Sequence, residues 1–120
     1  MIQPFDPLAF LDLARELGNG DREEAKLRTA VGRAYYALFL IARGKAGVTG
    51  RRDIHTRVIN ALKQRRKYRS TADQLDALRR LRAVADYQLL PDDPINRNWP
   101  GNWSRAHALV DRVLPRLQAW

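Results

Sequence analysis

The 120-residue chain contains no cysteine, which removes disulfide frameworks and thiolate metal sites and makes a reducing cytoplasm the expected setting. No apolar run reaches the roughly 18 residues of a membrane span, and no leader-like stretch opens the chain. Secretion and membrane insertion are therefore not expected. The two histidines, His55 and His107, lack partners at helical spacing, so no metal site is expected. A phosphate-cradling glycine loop, a dinucleotide fingerprint and a nucleophile elbow are absent, and no motif asks for a cofactor. Alternation of period two, internal repeats and low-complexity tracts are missing as well. Acidic residues are few: 13 against 22 basic ones, a net charge of +9. With 45% hydrophobic and 29% charged residues the composition is that of one globular domain, 1–120.

The basic excess is local. Residues 43–69 hold Arg43, Lys45, Arg51, Arg52, Arg57, Lys63, Arg65, Arg66, Lys67 and Arg69 against the single acid Asp53, and the rest of the chain is balanced. Such a block is either a solvated face or a polyanion-binding one. The loop glycines Gly44, Gly47 and Gly50, and Tyr68 as an aromatic face among the cations, favour sequence-independent phosphate contacts.

The punctuation is helical throughout. Asp6-Pro7 opens a first helix that Gly18 stops after Leu17. Asp21 with Glu24 reads as a capping box for a long second helix to about Arg43. That helix has two apolar stripes, one through Leu27, Val31, Ala34, Leu38 and Ile41, the other through Gly32, Tyr35, Phe39 and Ala42. Being apolar over so much of its circumference, it is expected at the centre. Asp53 caps a third helix with Ile54, Val58, Ala61 and Leu62 inward; Ser70 or Thr71 caps a fourth with Leu75, Leu78, Ala85 and Leu89 inward. Ser104 opens a fifth, with Ala106, Val110, Val113, Leu117 and Trp120 on one face and Pro115 kinking or ending it. These elements predict an all-α antiparallel bundle of four to five helices. The connection Leu90–Trp103, with Pro91, Pro94, Trp99 and Pro100, is a long loop whose Trp rings either pin it to the bundle or form a stacking or subunit surface.

One residue breaks the pattern. Position 82 of the fourth helix falls on the inward stripe but is an arginine, with Asp86 one turn on and Tyr87 beside it. The pair either fastens two helices or makes an anion site in which Arg82 holds a phosphate and Tyr87 assists. His55, in the first turn of the third helix, is a satisfied helix-end residue or an acid–base group; His107 is read as structural.

The run from Thr29 to Phe39, with Arg33 and Tyr35-Tyr36-Ala37-Leu38-Phe39, resembles the second-helix motif of HEPN-domain proteins. His55, Val58, Ile59 and Leu62 resemble the next helix, and Leu78 to Tyr87, ending Arg82-Ala83-Val84-Ala85-Asp86-Tyr87, resembles the family's Arg-x-x-Ala-Asp-Tyr segment. The resemblance covers about residues 6–118. It implies a four-to-five-helix bundle, commonly a homodimer. Its function is either metal-independent RNA cleavage in toxin–antitoxin or phage-defence systems, or non-catalytic binding of RNA, a nucleotide or a nucleotidyltransferase partner. Active members carry Arg-x(4–6)-His at a dimer cleft; here Arg82 fits the arginine, and Tyr87 stands where the histidine is expected. The expected catalytic set is thus Arg82, Asp86, Tyr87 and His55, with Arg51, Arg52, Lys63, Arg65, Arg66, Lys67, Tyr68 and Arg69 on the nucleic acid. A DNA-binding regulator is the weaker alternative, since no short helix-turn-helix stands out.

Overall fold

The computed structural model describes residues 4–90 and 94–120. Five helices follow in order, α1 (Leu8–Gly18), α2 (Glu24–Ala46), α3 (Ile54–Lys63), α4 (Arg69–Tyr87) and α5 (Trp99–Gln118), and no strand occurs among the described residues. The fold is a helical bundle. Both stripes of α2 are buried, from Leu27, Val31, Ala34 and Leu38 to Tyr35, Phe39 and Ala42, so this helix touches each of the other four. Its small residues Ala30, Ala34 and Ala37, all fully buried, let the neighbours approach closely.

Several boundaries differ from the sequence expectation for local reasons. Asp6 does cap α1, its Oδ1 accepting the Leu8 N–H at 3.0 Å. The capping box at Asp21 does not form: Asp21 accepts from Glu23 N–H and pairs with Lys26, leaving Glu23 at the cap position without a side-chain bond. α2 runs on past Arg43 to Ala46, where Gly47 takes the left-handed conformation (φ 68°) that ends it. Asp53 is itself left-handed and gives no side-chain cap, and α4 starts at Arg69, ahead of Ser70 and Thr71.

The largest difference is α5. It begins at Trp99, because Asn98 Oδ1 accepts the Gly101 N–H at 3.0 Å and Pro100 fits the first turn. Both indoles are therefore helical and buried, Trp103 donating to Asn19 Oδ1 at 3.0 Å. They pin the segment to the bundle and offer no stacking platform. Pro91 lies outside the described residues. Pro115 does not end α5, which continues to Gln118. Leu89, expected inward, lies beyond α4 and is 86% exposed.

Candidate functional site

The inward face of α4 drifts as a 3.6-residue helix must. Leu75 and Leu78 are buried in its first half, Leu81 and Ala85 in its second. Leu81 thus takes the interior place that simple spacing gave to position 82. Arg82 stands at the rim, its side chain 28% exposed, with Nε 2.8 Å from Asp86 Oδ2. The Asp86 carboxylate lies against Gly32 of α2, where a Cβ would meet Oδ1 at 3.4 Å. Tyr87 closes the helix and is 71% exposed, so it is no core residue; the Arg82 guanidinium carbon lies 5.5 Å from its ring centre.

α3 brings His55 to the same region. Its ring stacks on Phe39 (centres 4.2 Å apart), and Nδ1 lies 2.6 Å from the hydroxyl of fully buried Tyr35. The direction of this bond follows the imidazole tautomer: with the ring proton on Nε2 the phenol donates to Nδ1, and with it on Nδ1 the ring donates to the phenol oxygen. Burial pushes the phenol up to about 12, against the opposing pull of Arg79 and Arg82. It remains protonated. Burial and then the Arg79 and Arg82 guanidiniums also hold His55 below its ordinary value. The cluster is thus α3's His55, α2's Tyr35 and α4's Arg79, Arg82, Asp86 and Tyr87. Sequence spacing missed Tyr35 and Arg79; the signal for Tyr35 was a phenol on an otherwise apolar stripe.

The His55 shift has a pH consequence. The unfolded chain takes up a proton near pH 6.5 that the folded chain resists. Stability from the neutral ring is therefore complete above that pH and is lost as pH falls below it. In His55→Asn, whose amide can bond the Tyr35 hydroxyl in either direction without titrating, melting temperature should fall less steeply between pH 7 and 5.5 than in the wild type. Equal slopes would remove the assignment.

The basic block does not form one patch. Arg51 and Arg52 are exposed just before α3, on the His55 side; Lys63, Arg65, Arg66, Lys67 and Arg69 are exposed at and beyond its other end, roughly 15 Å away along the axis. Arg43 and Arg57 brace the loop between α2 and α3, donating to the carbonyls of Val48, Gly50 and Thr49. Tyr68 is not an open aromatic face. Its ring is buried against Trp120 (4.7 Å) and under Arg116 (5.3 Å). His107 pairs with Asp111 at 3.7 Å beside Trp103, away from the cluster. Among the described residues no three metal-ligating side chains gather, and no helix is long and apolar enough to cross a membrane.

The molecule is thus a helical bundle with a cationic, imidazole-bearing cluster where α2, α3 and α4 meet. It is 33% identical to an uncharacterized protein of Methanocaldococcus jannaschii over 111 residues, covering 74% of this chain and 67% of that one, and the chain belongs to the family of that protein. No family model and no solved structure matches it.

Proposed function

We propose that the chain is a HEPN-like RNA-binding domain of the cytoplasm that grips the phosphodiester backbone at the carboxyl end of α4 and does not turn it over there. One observation carries the reading: guanidinium and phenol donors gather at the carboxyl end of α4, where the carboxylate is already paired with Arg82 and the imidazole with Tyr35. His55 Nδ1 shares a hydrogen bond with the Tyr35 hydroxyl, and the Asp86 carboxylate accepts from Arg82. The outer guanidinium nitrogens of Arg82, Arg79 and the Tyr87 hydroxyl remain to meet phosphate oxygens. Arg51 and Arg52 extend the cationic surface from the start of α3. Tyr87, Leu89 and Leu90, exposed by 71%, 86% and 70% just beyond Arg82, support a homodimer that would cover them.

A second reading keeps one observation in its favour. A carboxylate-oriented arginine beside an exposed phenol is what the developing charge of a phosphorane requires. In that reading two protomers cleave RNA without metal, leaving a 2′,3′-cyclic phosphate, as a toxin or defence nuclease with a nucleotidyltransferase-type antitoxin. One experiment separates the two. Purified protein in EDTA should bind single-stranded RNA with salt-dependent affinity and leave it intact, and Arg82→Ala should weaken binding about tenfold, or 1.4 kcal/mol, without lowering the melting temperature. Cyclic-phosphate ends that vanish in Arg82→Ala would establish the nuclease; unchanged binding in that variant would sink both.

A further inference from the structure

The first turn of α4 and the carboxyl-terminal half of α5 border an open cleft of about 370 Å³, lined by Lys67, Ser70, Thr71, Gln74, Arg112 and Arg116. That volume is in the range of small-molecule sites, roughly 300–1,000 Å³. The geometry points to a phosphate-binding site here, separate from the Arg82 cluster. Thr71 and Arg82 are on one helix but roughly 16 Å apart along its axis.

The lining is a set of donors, most of them uncommitted. Three are cations, two are hydroxyls and one is an amide, and no carboxylate joins them. Among the described residues, the side chains of Lys67, Ser70, Thr71, Gln74 and Arg112 have no hydrogen-bond or ion-pair partner. Thr71 is the telling one. The residue as a whole is 2% exposed and forms part of the cleft wall, so what remains accessible of it opens onto the cleft. Arg116 is already positioned: its Nη2 donates to the Lys67 carbonyl at 2.7 Å, and its guanidinium lies 5.3 Å from the Tyr68 ring centre. The first turn of α4 holds no acid and no side-chain cap, so the positive end of its dipole faces this wall unneutralised. A tetrahedral oxyanion with several acceptor oxygens satisfies hydroxyl, amide and guanidinium together.

The phosphate could be a free nucleotide's or an RNA backbone's, and the test separates them. Titration of the full chain with inorganic phosphate, followed by amide resonances, should give saturable shifts at Ser70, Thr71, Gln74 and Arg112. Arg112→Gln, on an exposed side chain with no partner, should weaken binding at least fivefold. Thr71→Val should weaken it about threefold while leaving the protein folded, because no hydrogen bond within the protein is lost. ATP shifting the same resonances more tightly than phosphate would assign a nucleotide; a short single-stranded RNA doing so would assign the backbone. Absent shifts at these four residues, or wild-type affinity in both variants, would overturn the site. The outcome is independent of the Arg82→Ala result, which concerns the other end of α4.

Discussion

Gly18→Ala is expected to cost about 3 kcal/mol and to lower the melting temperature by roughly 10 °C. A Cβ at this position would stand 2.1 Å from Cε2 of Trp103 and 2.5 Å from two further indole carbons. The indole has nowhere to go. It is 2% exposed, its Nε1 is tied to Asn19 Oδ1, and it is planted in the first turns of α5. Relief requires either prising α1 from α5 or breaking that hydrogen bond, and both open the core. Gly44→Ala is the control: nothing lies within 4 Å of its Cβ and it sits inside α2, so alanine should be neutral or stabilise by about 0.5–1 kcal/mol. Thermal unfolding of the two variants decides the matter, and a Gly18→Ala melt matching the wild type would disprove the close approach.

Gly18 also shows what the sequence could and could not say. As a helix stop it was readable from position alone; that its missing side chain is the seat of a tryptophan 85 residues away depends on tertiary packing, which no local pattern encodes. The same division runs through the fold. Helix identity and the central place of α2 follow from apolar periodicity, because a stripe on two faces can only be satisfied inside. Caps were less legible, since the Asp21 carboxylate is taken up by Glu23 N–H and Lys26, and Asp53 is left-handed with no side-chain cap bond. The start of α5 was missed because Asn98 and Pro100 form a start signal hidden among residues that read as loop. In the candidate site, Arg82 and Asp86 were legible as charges breaking a stripe. The Tyr35–His55 bond was not, as it joins two helices 20 positions apart in sequence. Tyr68 failed as a stacking face because an aromatic ring among cations buries itself whenever another ring and a guanidinium are near enough to cover it.

Arg28→Met should cost about 3 kcal/mol and loosen the candidate site selectively. The last carbonyls of a helix have no partner within it, and α4 has no basic residue in its own last turn to answer them. α2 supplies the cation. Arg28 Nη1 donates to the carbonyls of Ala85 (3.1 Å) and Gln88 (2.7 Å), Nη2 donates to Asn96 Oδ1 (2.6 Å), and the guanidinium lies 4.5 Å from the Trp99 ring centre. Position 28 continues the Gly32–Tyr35–Phe39 stripe toward the amino end, so its charge breaks the apolar pattern of α2. Methionine keeps most of the side-chain volume and removes every one of these hydrogen bonds, with charge-assisted bonds worth about 1.5–3 kcal/mol each before relaxation. The carboxyl end of α4 should then fray while the rest of the bundle holds. Hydrogen exchange is the discriminating measurement: amides from Ala85 to Gln88 should lose protection well before global unfolding, and RNA affinity should fall with them even where the melting curve still shows a folded protein. Uniform loss of protection across all five helices would instead make Arg28 a general core brace with no particular hold on the Arg82–Asp86–Tyr87 turn.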